Sequence, residues 1–183
     1  AGGHTGDVAS MVLLPQVVNI CRGRKSSLTG GPVHVVAAGG MYSGRTLAAA
    51  MALGAEGVWV GTRFVACEEA GAGPYHKRLL TKTDYTDTIK TTIYTGRPMR
   101  VNASKFVVDW ESKRQDEIQK MLVQGKLPAP FGSQEKVEER PFLMGQAAGA
   151  IDEVKPAKAI VDEMVGQAHE LLAGASKMLV AKL

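Results

Sequence analysis

Apolar residues recur at spacings of three and four through Val8, Met11, Val12, Leu14, Val17, Val18 and Ile20, which predicts an amphipathic helix over 8–20. Pro15 falls inside that pattern. The prediction is therefore two short pieces, or a helix that starts nearer Leu14 with Pro15 in its first turn. Residues 21–31 carry Gly23, Gly30 and Gly31 among polar neighbours and read as an exposed loop. Val33 to Ala38 is an unbroken apolar run of strand length, the pattern of a parallel strand with helices over both faces. Ser43 offers an N-cap to a helix over 45–53, Gly54 ends it, and a strand over 58–60 follows. Strand, helix, strand in that order is a βαβ unit.

After Phe64 the pattern changes. Glu68, Glu69 and the turn Gly71-Ala72-Gly73-Pro74 lead into a short helix from about Tyr75 to Leu80. Residues 86–95 are rich in β-branched side chains and read as extended, with Gly96-Arg97-Pro98-Met99-Arg100 as a turn. A charged helix over 109–124 ends at Gly125, and 126–141, with Pro128, Pro130 and Pro141, reads as a loop or hinge. A last helix from Pro156 has Ile160, Met164, Ala168, Leu171, Leu172 and Ala175 along its apolar face.

Composition excludes more than it selects. The chain has 183 residues, 45% hydrophobic and 22% charged, as ordinary globular proteins do. Aromatics make up 5%, too few to favour a stacking platform for single-stranded nucleic acid. The net charge of +4 is scattered, its longest basic run being Arg22-Gly23-Arg24-Lys25. A solvated surface explains that excess, and an anionic small ligand suits it at least as well as nucleic acid. Cys21 and Cys67 form no disulfide framework or metal cluster, which points to a reducing, cytoplasmic setting. No apolar run approaches the ~20 residues of a membrane span, and no signal-peptide pattern is visible.

The candidate chemistry lies at glycines. Ala37-Ala38-Gly39-Gly40 and Trp59-Val60-Gly61-Thr62 end two successive strands where helices should begin. Glycine there lets a phosphate approach backbone N–H groups with no Cβ in the way. The expected fold class is α/β, the unit resembling the last quarter of a (β/α)8 TIM barrel, where phosphate sites often follow strands seven and eight. Ala1-Gly2-Gly3-His4 reads like a strand end and a whole barrel takes ~250 residues, so the expectation is the carboxyl-terminal portion of something longer. A complete small domain with a processed terminus is the alternative.

Gly2-Gly3-His4-Thr5-Gly6, Leu14-Pro15-Gln16-Val17-Val18, Ala37-Ala38-Gly39-Gly40, Leu53-Gly54-Ala55-Glu56-Gly57-Val58 and Gly61-Thr62-Arg63-Phe64 occur in that order. Together they resemble the nitronate monooxygenase family, formerly called 2-nitropropane dioxygenase; Gly96-Arg97-Pro98 and Gly145-Gln146-Ala147-Ala148-Gly149 fit it further on. The resemblance implies an FMN-binding barrel with a mostly helical insert. On that template residues 1–82 are the last part of the barrel, 83–145 the insert and 146–183 a closing helix returning to the barrel. The family's amino-terminal half has no counterpart in the sequence, so the barrel needs it from the same or another chain. A homodimer is left open.

The resemblance also assigns roles. The catalytic histidine falls on His4, which accepts a proton from the carbon beside a nitro group or hydrogen-bonds nitronate oxygens. Gly2, Gly3, Gly39, Gly40, Trp59, Val60, Gly61 and Thr62 are the cofactor-binding set. Trp59 stands where many relatives carry a polar side chain, so only backbone contacts to flavin are expected there. The implied reaction oxidises alkyl nitronates or nitroalkanes, propionate 3-nitronate among them, with dioxygen to carbonyl compounds and nitrite. An FMN-dependent enoyl-thioester reductase of the same fold, and a non-catalytic phosphate-ligand-binding fragment, are the alternatives. No metal, nucleic-acid or membrane partner is expected. Among other candidates, His34 reads as part of a strand, His76 and His169 as surface residues, and Glu68, Glu69 and Asp87 as solvated charges. Arg63 reads equally as a phosphate neighbour or a structural salt bridge. The terminal Ala181-Lys182-Leu183 resembles the peroxisomal signal S-K-L, with alanine for serine.

Overall fold

The computed structural model describes residues 5–177. Its first element is one continuous helix, α1 (Ser10–Cys21), with Pro15 in its interior. This corrects the expected interruption. Proline removes its own N–H bond to the preceding turn and crowds the carbonyl four residues back, but leaves the neighbouring bonds in place. The turn before it is held by the Ala9 carbonyl, which accepts from the N–H groups of Val12 and Leu13 at 2.9 and 3.0 Å. Leu14 anchors the helix, buried with Ala37, Ala50 and Ala55.

Strand β1 (Val36–Ala38), helix α2 (Gly44–Ala52) and strand β2 (Gly57–Trp59) form the expected βαβ unit. The strands are parallel, pairing Val36 with Gly57, Ala37 with Val58 and Ala38 with Trp59. At the start of α2 the Thr46 hydroxyl does the capping, accepting from the N–H groups of Tyr42 and Ser43 at 3.0 and 3.1 Å. Gly54 takes φ +95°, where a Cβ would also meet Val18 Cγ1 at 2.8 Å.

Among the described residues the sheet is covered on one face. Alternate side chains point to opposite faces; Val35, Ala37 and Val58 pack with residues of α1 and α2, whereas Val36 and Trp59 are 55% and 73% exposed. Among the described residues the parallel sheet has two strands, and both flanking helices contribute to the buried face.

Helix α3 (Thr62–Val65) is a single turn, and α4 (Pro74–Leu80) begins on its proline. Strands β3 (Thr88–Thr91) and β4 (Met99–Asn102) are antiparallel. Met99 and Arg100, expected in the turn, are thus already strand. Alternation explains it: Met99 and Val101 point into a core with Ile93, Tyr94, Val107, Trp110 and Ile118. The charged helix starts earlier than expected and breaks at Arg114, giving α5 (Lys105–Lys113) and α6 (Gln115–Val123). Ser104 caps α5 through the Val107 N–H. At the break the Arg114 guanidinium lies 3.3 Å from the Trp110 ring centre and bonds Glu117 twice at 2.7 Å. Gly125, at φ +69°, closes α6.

The chain returns through 3₁₀ turns at Val137–Glu139 and Gln146–Ala150 to α7 (Ala157–Ser176), which packs against α2. Ile160, Met164 and Ala168 are buried as expected. Leu171 and Leu172 are 41% and 37% exposed, and Ala175 is exposed too. Helix length is the reason. α2 has nine residues and α7 has 20, so at 1.5 Å per residue the later turns of α7 run past its neighbour. No helix among the described residues is long and apolar enough to cross a membrane.

Candidate functional site

Parallel pairing sends the carboxyl ends of β1 and β2 to the same edge of the sheet. Gly40 and Gly61 each follow the last paired residues, Ala38 and Trp59, by two positions. Gly39 and Gly40 take φ +84° and +78°, left-handed conformations that glycine adopts without strain. Gly61 (φ −101°) precedes α3, and a Cβ added there would enter open space. The packing therefore does not itself demand glycine at 61; what its absent side chain provides is room. Since α3 is one turn, its dipole is short, and the edge offers an anion individual N–H groups more than a helix end.

Thr62 follows, half-buried. Its Oγ1 accepts the Gly145 N–H at 2.9 Å, and a hydroxyl that accepts one bond still has a proton to donate. Gly39, Gly40, Trp59, Val60, Gly61 and Thr62 are thus brought together at one edge. Gly2, Gly3 and His4 lie outside the described residues, as does Ala181-Lys182-Leu183. On the helix side of Gly39-Gly40 is an apolar cavity of about 260 Å³ lined by Met11, Leu14, Ala50 and Leu53. Ser10 Oγ donates to the Gly39 carbonyl at 3.2 Å, fixing the turn.

The remaining candidates resolve into structural roles. Arg63 is 7% exposed and its Nη1 donates to the Glu153 carbonyl at 2.7 Å, a peptide group in place of the expected salt bridge. His34 precedes β1 and is exposed, its Nδ1 2.6 Å from Glu56 Oε2. His76 does more than lie at the surface. It is half-buried, its Nε2 is 3.0 Å from the Leu143 carbonyl, and its ring centre is 5.1 Å from that of Phe142. Burial pushes its pKa below the ordinary histidine value, with the Leu143 bond opposing. His169 is exposed, as expected.

Glu69 is more than a solvated charge. Its two carboxylate oxygens accept the Ala157 N–H at 3.0 and 2.8 Å, and that bond leads the causes holding its carboxyl below the ordinary range. The signal was present in the sequence: α7 starts after Pro156, which has no capping side chain, so an acceptor must come from elsewhere. Asp87 accepts the Asp84 N–H at 3.0 Å within a local turn. Among the described residues no group of three His, Cys, Asp or Glu could hold a metal ion.

What the arrangement offers is a glycine-tipped edge on an α/β frame. The nitronate monooxygenase family model matches residues 1–167, and the chain belongs to that family. A Mycobacterium tuberculosis protein named as a monooxygenase is 34% identical, over 90% of this chain and 44% of its own length. FabK from Thermotoga maritima superposes with a TM-score of 0.75 at 32% identity, over 98% of this chain and 55% of FabK. Nitroalkane oxidase from Streptomyces ansochromogenes gives a TM-score of 0.68 at 25% identity, over 92% of this chain and 46% of the oxidase. The chain thus spans about half the length of the curated relatives it matches.

Proposed function

We propose that this chain forms part of an FMN-dependent oxidoreductase that oxidises alkyl nitronates with dioxygen to carbonyl compounds and nitrite. The observation that carries the reading is the common edge at which Gly39-Gly40 and Gly61-Thr62 emerge, in a chain of this family. Backbone N–H groups at Gly40 and Gly61 and the Thr62 hydroxyl would hold the cofactor phosphate, charge-assisted bonds worth ~1.5–3 kcal/mol each. FMN, when bound, supplies the electron-transfer chemistry between nitronate and dioxygen. The imidazole of His4 would orient the nitronate oxygens or take the proton from the adjacent carbon. Trp59 presents an apolar ring on the bare face of the sheet and contributes backbone contacts. The remaining barrel strands come from this polypeptide or another.

An absorption spectrum of the purified protein, followed by nitronate-dependent oxygen uptake and nitrite release, tests this. The expected result is a yellow protein whose turnover falls at least 100-fold in His4→Asn while the flavin stays bound. A colourless preparation that takes up no FMN supports the binding-only alternative instead. The likeness to FabK favours one second reading, the flavin enoyl-thioester reductase. It expects rapid NAD(P)H oxidation with an enoyl thioester, which a nitronate oxidase does not need.

A further inference from the structure

Among the described residues Arg63 is the one charged side chain buried as deeply as 7% exposure, and it forms no ion pair there. A buried charge without a counter-charge is costly, and folded proteins pair such groups. Its Nη1 donates to the Glu153 carbonyl, which offers a dipole and no charge. Nε and Nη2 have no hydrogen-bond partner among the described residues, yet neither is sealed from solvent. Those two nitrogens form one edge of the planar guanidinium, spaced to grip both oxygens of an oxyanion at once.

Arg63 lines an open cavity of about 510 Å³ between the start of α2 and the helix α7, with Tyr42, Gly44, Glu163 and Gln167 among its other walls. The cavity is separate from the glycine edge, since none of Gly39, Gly40, Gly61 and Thr62 lines it. Thr62 turns its hydroxyl to Gly145; Arg63, one position further round the turn, faces Glu153 and this cavity.

The walls decide the class of anion. Glu163 is taken by Lys155, whose Nζ lies 2.8 and 2.9 Å from its two oxygens. Glu170 adds an exposed negative charge to the same cavity. On the positive side stand Arg63 and the amino end of α2 at Gly44, the latter equivalent to about half a charge. A single negative charge is matched by Arg63, whereas a second one meets Glu170.

We infer that this cavity binds a small organic carboxylate, held by the Nε–Nη2 edge of Arg63 and distinct from the proposed cofactor phosphate. The inference does not depend on the nitronate reading, because no residue given a role in that reaction lines the cavity.

The test is NMR titration of the purified, flavin-loaded protein with butyrate, butan-1-ol, butylamine and inorganic phosphate at matched ionic strength. Butyrate should bind at least tenfold more tightly than the alcohol or the amine, the effect of a charge-assisted bond, and more tightly than phosphate. Arg63→Lys keeps the charge but loses the flat edge, and should weaken butyrate at least tenfold while the flavin stays bound. Gly166→Leu serves if the lysine variant does not fold. Gly166 lines the cavity and a Cβ there meets nothing, so the added bulk obstructs butyrate without touching Arg63. Equal binding of butyrate and butan-1-ol, tighter binding of phosphate, or butyrate affinity unchanged in the variants overturns the assignment. So does release of flavin from Arg63→Lys in step with the loss of butyrate, which would put the guanidinium at the cofactor.

Discussion

The hydroxyl of Thr62 accepts a hydrogen bond from the backbone N–H of Gly145 at 2.9 Å. This one contact ties the carboxyl end of β2 to the segment that returns from β4, α5 and α6. It makes the geometry of the glycine edge depend on how that segment is seated.

Thr62→Val removes the acceptor and leaves the Gly145 amide unpaired, at a cost of ~1–3 kcal/mol. Thermal unfolding should show the loss, and FMN titration a weaker complex than in the parent. Thr62→Ser keeps the oxygen and should restore both. A valine variant equal to the parent in the two measurements would mean that the contact contributes nothing.

Gly44 sits where α2 crosses α7. A Cβ there would lie 2.5 Å from both Gln167 Cβ and the Met164 carbonyl oxygen, and 2.7 Å from the Ala168 nitrogen. Two of these three atoms are backbone and cannot rotate away. Gly44→Ala should therefore destabilise by ~1–3 kcal/mol or more through forced separation of the helices, despite alanine's better helix propensity. Denaturant unfolding measures it.

His76 gives a pH dependence of defined sign. Its pKa is lowered in the folded protein, chiefly by burial, so the unfolded chain binds the proton more readily. The stabilisation is complete above the unfolded value of ~6.5 and is lost as pH falls through the window below it. Unfolding midpoints followed between pH 7.5 and 5 should decline, and His76→Gln should flatten that part of the profile. A profile of unchanged slope in the variant would assign the decline to other groups.

Glu69→Gln weakens the acceptor that holds the Ala157 N–H, and Glu69→Ala removes it. Both should lower the thermal midpoint, alanine more. Because the Glu69 carboxyl is held below its ordinary value by that bond, its contribution is present above the unfolded pKa of ~4.3 and disappears as pH falls further. Amide exchange in the first turn of α7 should quicken most.

How far the sequence reached depended on whether a feature was local. The βαβ unit and its glycine ends are legible because strand length, helix spacing and Gly54 are written in consecutive residues. So is α4, from its leading proline. What escaped depends on partners distant in the chain: Arg63 bonds the Glu153 carbonyl, Glu69 caps a helix 88 residues on, and His76 is sheltered by Phe142. Val36 looked buried because an apolar run predicts cover on both faces. The run records the environment a strand suits, and the described residues supply only one side of it. Leu171 and Leu172 misled similarly, since periodicity marks a face but says nothing of where the neighbouring helix stops. For the site itself, the motifs picked out the glycine edge.

The core of Ile93, Tyr94, Met99, Val101, Val107, Trp110 and Ile118 draws wholly on chain between β2 and the return to α7. Lys90, Glu111 and Gln115 stand on the elements which that core holds together, whereas the glycine edge stands on others. Those elements thus have a core of their own, and the Thr62–Gly145 bond is a tie between them and the glycine edge.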